Sequence, residues 1–181
     1  YRQTGDRVSL TRVTGEFALG LVENNQPERA LELLTPLIED DIGSEPELVP
    51  AAVVYARSLM LTLEPGVIEA ADRALAAAEK LGSVPETIDA LITKGTYLGQ
   101  LGRLSESRII LEGAIALAEE HDLGRSIARG QHNLAYVMVG LDDSASLALS
   151  EEAYRTAQRL GDRSQLLFQL GAMALASTII G

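Results

Sequence analysis

Two histidines, four adjacent acidic pairs and three closely spaced glycines are the residues of this 181-residue chain whose types suit chemistry. His121 and His132 fall on different predicted helical segments, whereas a helical metal site of the His-Glu-x-x-His kind needs two imidazoles one turn apart on one face. His121 is placed at a helix end beside Glu120 and Asp122, where an imidazole sits favourably against the helix dipole. The acid pairs are Asp40-Asp41, Glu119-Glu120, Asp142-Asp143 and Glu151-Glu152. General acid–base work needs carboxyls that converge in a cleft, and neighbours on a helix point about 100° apart. All four pairs read as solvated charge at helix ends or outer faces. Gly95, Gly99 and Gly102 lie in or at the end of a predicted helix with no strand before them, so they make no phosphate loop. Cysteine is absent, which excludes disulfides, thiolate nucleophiles and Cys-ligated metals. No catalytic residue, no metal ligand and no cofactor are expected, and the chain is read as not an enzyme.

The elements that must carry any remaining function are helices, and they recur. Ser44-Glu45-Pro46-Glu47 and Ser83-Val84-Pro85-Glu86 both have the form of a capping box, in which Ser accepts from orphan helix N–H groups and Glu reaches back. Asp122 and Asp162 continue that beat of 39 to 40 residues as expected caps. Ala-rich segments run in phase with it: Ala74, Ala114 and Ala153 share one position, and Ala78, Ala118 and Ala157 another. Small residues four apart on a helix let a neighbouring helix come close. Gly82 and Gly161 follow last turns, where a left-handed residue ends a helix. The pattern predicts first helices at 6–22, 45–62, 84–101, 123–140 and 163–180. Second helices are expected at 27–39, 66–81, 104–120 and 144–160, with Pro36 and Pro50 kinking or shortening their helices.

Composition agrees with an all-α chain. Hydrophobic residues make up 46% and aromatic ones 4%, so Ala and Leu must do the packing. No period-two alternation appears. The net charge is −11, concentrated before residue 91 with 7 basic and 16 acidic residues, against 8 and 10 after it. So acidic a surface repels phosphate backbones, and no direct nucleic-acid binding is expected. The apolar run 166–180 is shorter than the roughly 20 residues a bilayer span needs, so no membrane association is expected. The chain opens on Tyr1-Arg2-Gln3 and reads as a segment of a longer cytoplasmic protein.

Within each helix pair, a small residue sits midway along the first helix: Ala18, Ala56, Gly95, Ala135, Gly171. Leu21, Leu59, Leu98 and Met138 stand three further on, and the second helices supply Ala30, Ser107 and Ser146. This pattern resembles the tetratricopeptide repeat, though with a longer period than the usual ~34 residues and without its Trp and Pro. The resemblance implies a right-handed superhelix of antiparallel helix pairs. It would hold about 4.5 repeats of 37–40 residues, at 6–43, 44–82, 83–121, 122–161 and, in part, 162–181, as one domain. The stretch from Leu101 to His121 is similar to the regulatory repeats of large bacterial signalling ATPases, including LuxR-type transcription regulators and cyclase-linked ATPases. A non-catalytic interaction or sensor module of a signalling or transcription-regulatory protein is what this implies. Its partner would be a protein, a peptide or neighbouring domains of the same chain.

In tetratricopeptide stacks the first helices line a concave groove. Carried onto this chain, that face comprises Arg57, Asp89, Thr96, Gln100, Arg129, His132, Asn133, Tyr136, Gln165 and Phe168. Lysine occurs only at Lys80 and Lys94, so the carboxylate clamp of some relatives is not met. The alternative reading is structural self-association. The last predicted helix is apolar on all sides, which expects burial on more than one of them, either by a missing second helix or by a second copy in a homodimer.

Overall fold

Among the described residues seven take a left-handed backbone; Gly66 precedes a helix, and the other six set the chain's rhythm: Asn25, Leu63, Gly82, Gly102, Asp122 and Gly161. Each ends a helix, because a left-handed residue turns the chain while its amide and the next one satisfy the last orphan carbonyls. The second of these bonds is plain at Gln26 N–H to Leu21 O, Glu64 to Leu59, Ser83 to Ala78, Arg103 to Leu98 and Leu123 to Ala118, all 2.9–3.0 Å. The computed structural model describes residues 7–38, 48–139, 141–161, 166, 170, 171 and 173.

Between these turns run eight helices among the described residues: α1 (Arg7–Glu23), α2 (Pro27–Ile38), α3 (Val49–Thr62), α4 (Val67–Leu81), α5 (Val84–Gln100), α6 (Leu104–Glu120), α7 (Gly124–Met138) and α8 (Asp143–Leu160). They follow the expected pairs to within a residue or two, except that α3 starts at Val49. Pro50 stands in its first turn, where a missing N–H costs nothing. Pro36 lies two residues before the end of α2. The fold is an all-α solenoid of antiparallel helix pairs. Ser44, Asp162 and most of the fifth first helix lie outside the described residues.

The expected cap at Asp122 is a correction. Asp122 has φ 54° and occupies the left-handed position that Gly82 and Gly161 fill in their repeats. Aspartate is one of the few residues other than Gly that visits this region routinely. It therefore ends α6 and does not cap α7, whose N-cap is Leu123 with no side-chain bond. Among the described residues, side chains that act at N-termini include Ser83, whose hydroxyl bonds the Glu86 carboxylate, and Asp142. The latter accepts from Ala145 N–H at 2.9 Å and from the Ser144 hydroxyl at 2.8 Å. Asp142 is thus a helix cap, not merely the solvated charge the sequence suggested.

The chain packs as two compact units, 1–94 and 95–181, with the boundary inside α5. In the first, α1, α2 and α3 pack on one another and α4 on α3. Its core holds Ala18, Leu21, Leu34, Val49, Val53, Ala74 and Ala78. Gly15 lies where α1 meets α3: a Cβ there would stand 2.8 Å from that of Ala51. Lys94 on α5 ties back to Asp72 on α4 at 2.6 Å. In the second unit, α6 and α8 both pack on α7. Leu98, Leu111, Ala114, Ala118, Ala135, Ala153 and Ala157 are fully buried or nearly so. All six alanines of the repeating Ala beat have no exposed surface.

Two serines pin the helix pairs of this second unit. Ser107 Oγ donates to the carbonyl of Gly95 at 2.7 Å, and Ser146 Oγ to that of Ala135 at 2.8 Å. These link second helix to first at the small positions read from the sequence. Gly171, the fifth such position, is exposed and has open space where a Cβ would stand.

Candidate functional site

The α7 helix divides into functional faces. At ~100° per residue, Arg129, His132, Asn133 and Tyr136 fall on one side, and Gln131, Leu134 and Met138 on the other. Ala128 and Ala135 lie on the edge between them that meets α8, through the Ser146 bond. Gly130 and Val137 take the remaining edge, where Val137 Cγ2 would stand 2.7 Å from a Cβ on Gly99. The two flanks are thus consumed by packing.

Of the expected groove residues, the structure brings four together on α7. Tyr136 is 64% exposed, His132 and Asn133 are half-buried, and Arg129 is a correction: only 7% of it is exposed. A first-helix arginine on a groove face is expected in water, but here its long side chain is taken into the fold. On α5, Asp89 and Thr96 are half-buried and Gln100 is exposed, and on α3 Arg57 is half-buried. Arg57, Asp89, Thr96, Arg129 and His132 all hold interactions within the chain. Gln165 and Phe168 lie outside the described residues. His121 closes α6 as its exposed C-cap, as its place in the sequence suggested.

Sequence reasoning passed over Gln131. It is 3% exposed, and its Oε1 has no hydrogen-bond partner. The signal was available: Gln131 precedes Leu134 and Met138 by three and seven positions, so it stands in an apolar stripe. Buried polar atoms are paired in the great majority of cases. Gln131 also lines a cleft of about 460 Å³ between α6, α7 and α8, while its Oε1 itself is enclosed.

Among the described residues no three of His, Asp or Glu gather where a metal ion could be held. No described helix is long and apolar enough to cross a membrane.

No family model and no curated protein matches this chain. Solved structures do. A crystal structure of a putative kinesin light chain with nearly identical TPR-like repeats, from Podosopora anserina, superposes with a TM-score of 0.62 at 16% identity, covering 97% of this chain and 98% of that one. A point-substituted form of that protein gives 0.63 at 19% identity, over 95% and 86%. At these identities the likeness is one of fold: the helix pairs are TPR-like.

Proposed function

We propose that this chain is a non-catalytic module that binds a protein or peptide, or neighbouring domains of its own chain, through its first helices. The observation that carries this is Tyr136, whose exposed ring shares one face of α7 with His132 and Asn133. A tyrosine standing in water beside polar groups is the kind of residue that anchors interfaces. TPR-like folds generally serve such binding. The first helices of unit one offer Arg57 and Asp89 for the same role, and those of the second unit add Thr96 and Gln100. The setting we assign is the cytoplasm, in a multidomain bacterial signalling or transcription-regulatory protein. It rests on the similarity of the Leu101–His121 stretch to regulatory repeats. Repeats contact only their neighbours, so a bound segment would act by changing how successive helices stack.

The test is selection of 12-residue peptides from a random displayed library on the chain, with Tyr136→Ala as the counter-target. Peptides that bind the native chain and lose most binding to the variant support the module. A selection that yields only peptides indifferent to Tyr136→Ala overturns it.

A second reading, self-association through the C-terminal helix, is favoured by Leu170, which is 51% exposed on a helical segment. Light scattering of the chain and of Leu170→Glu tests it. A dimer that the substitution dissociates supports the reading, and a native monomer at high concentration removes it.

A further inference from the structure

Gly20 has no packing role inside the chain, for a Cβ there would meet nothing within 4 Å. A glycine within a helix is less favourable than alanine, so one that the fold does not require calls for a neighbour from outside. The other glycine of α1, Gly15, is accounted for by Ala51 of α3. Gly20 shares one side of α1 with Leu10, Val13 and Phe17, because steps of three and four residues return to the same face of a helix. Phe17 is 59% exposed, Val13 is exposed and Leu10 is half-buried. Steps of three, four and three are also those of a coiled-coil seam.

Elsewhere in the chain the same side of a first helix is covered. Ala18 and Ala56 hold one position in α1 and α3, so Val13, Glu16 and Phe17 correspond to Ala51, Val54 and Tyr55. Ala51 and Val54 are buried and Tyr55 packs against their core, because α1 and α2 both lie on α3. On α1 the matching side stands open.

We propose that this face of α1 joins two copies of the chain as an antiparallel helix pair about a two-fold axis. The stripe is complementary to itself in that orientation. Leu10 of one copy lies over Gly20 of the other, and Val13 meets Phe17, so each large side chain finds its space. A parallel pair would set Gly20 on Gly20 and leave that layer empty. Charge favours the same occupant. The chain carries −11, and like copies repel through such a surface. Yet α1, with Arg7, Arg12, Glu16 and Glu23, is neutral. Arg12 and Glu16 pair at 2.9 Å beside the stripe, and the two-fold brings two such pairs together with equal numbers of each sign. The helix is already formed by packing within the chain, so association does not bear the cost of nucleating it. Two-fold contacts are the commonest between identical copies. One helix pair buries little surface, which makes this a weak dimer that dilution reverses.

The experiment follows the mass of the whole chain by light scattering as its concentration is raised. The mass is expected to climb from one copy towards two. Phe17→Glu should hold it at one, and so should Arg12→Glu, which gathers only carboxylates at the edge of the seam. Gly20→Leu should do the same by filling the space that Leu10 needs. Its position is open within the chain, so its helical circular-dichroism signal should be unchanged, and it serves if Phe17→Glu fails to fold. Leu170→Glu should leave the dimer intact, which separates this face from the C-terminal segment. The chain has no cysteine, so mixing Val13→Cys with Phe17→Cys under mild oxidation reads the orientation. The mixed disulfide is expected to form several-fold faster than either variant links to itself. A mass of one copy at the highest concentration overturns the proposal. So does a dimer that survives both Phe17→Glu and Gly20→Leu, or one that Leu170→Glu dissociates. Faster linking of either cysteine variant to itself overturns the antiparallel arrangement.

Discussion

Ser107 donates its hydroxyl to the carbonyl of Gly95 at 2.7 Å, where second helix meets first with no side chain between them. A Cβ on Gly95 would stand 2.9 Å from Leu111 Cγ, a branch point with no freedom to swing aside. Gly95→Ala should therefore destabilise the chain by about 1–3 kcal/mol, as overpacking does. Ser107→Ala should cost about 1 kcal/mol, the usual net worth of one hydrogen bond. Gly113→Ala, on an exposed stretch of α6 with open space around it, should stabilise by up to ~1 kcal/mol. Denaturant unfolding of the three variants checks the order. Equal effects at Gly95 and Gly113 would break the packing assignment.

Leu63 ends α3 with φ 58° and is 72% exposed. A β-carbon in that region costs roughly 1–2 kcal/mol, and nothing buried is gained by this side chain. Leu63→Gly should accordingly raise stability by about 1 kcal/mol, less the extra freedom Gly brings to the unfolded chain. A fall in the unfolding midpoint would contradict the turn geometry.

Arg129 and Tyr136 share a face of α7 but not an environment. Arg129→Ala should destabilise by about 1–3 kcal/mol, the range for losing a buried side chain and its interactions. Tyr136→Ala should stay within ~0.5 kcal/mol. Thermal unfolding of both variants decides it, and similar melting temperatures would show that the burial of Arg129 is wrong.

The Asp142 carboxyl is held below its ordinary value, first by the Ala145 N–H and then by the Ser144 hydroxyl. A depressed carboxylate stabilises the fold above its unfolded pKa, and that contribution is lost as pH falls through the folded one. The melting-temperature gap between native chain and Asp142→Ala should therefore be full near neutrality and shrink in acid. Asp142→Asn keeps an acceptor at the N-cap and should show a flatter profile. A gap unchanged down to strongly acidic pH would mean that the cap's charge contributes nothing.

Much of this fold was legible because its packing is written in small residues. Ala74, Ala114 and Ala153 recur at one position and all end fully buried, since helices that approach closely admit nothing larger there. The turns were less legible. Asp122 has the composition of an N-cap, and only the backbone distinguishes that role from the left-handed residue it is, because aspartate suits both. The candidate site was readable as a face but not as an environment. Helical spacing places Arg129 with His132 and Tyr136, while burial depends on how neighbouring helices cover that face, which periodicity does not encode. Gln131 was missed for the converse reason. A glutamine on a first helix reads as solvent-facing until its stripe with Leu134 and Met138 is taken as a unit.

The exposed first-helix face of α7 is the partner-binding surface we propose. Backbone amide shifts, recorded while a library-selected peptide is titrated into the chain, test it most directly. The largest changes are expected at His132, Asn133 and Tyr136, with little at Leu134 and Met138 on the opposite face. Changes that avoid the Tyr136 face altogether would contradict it.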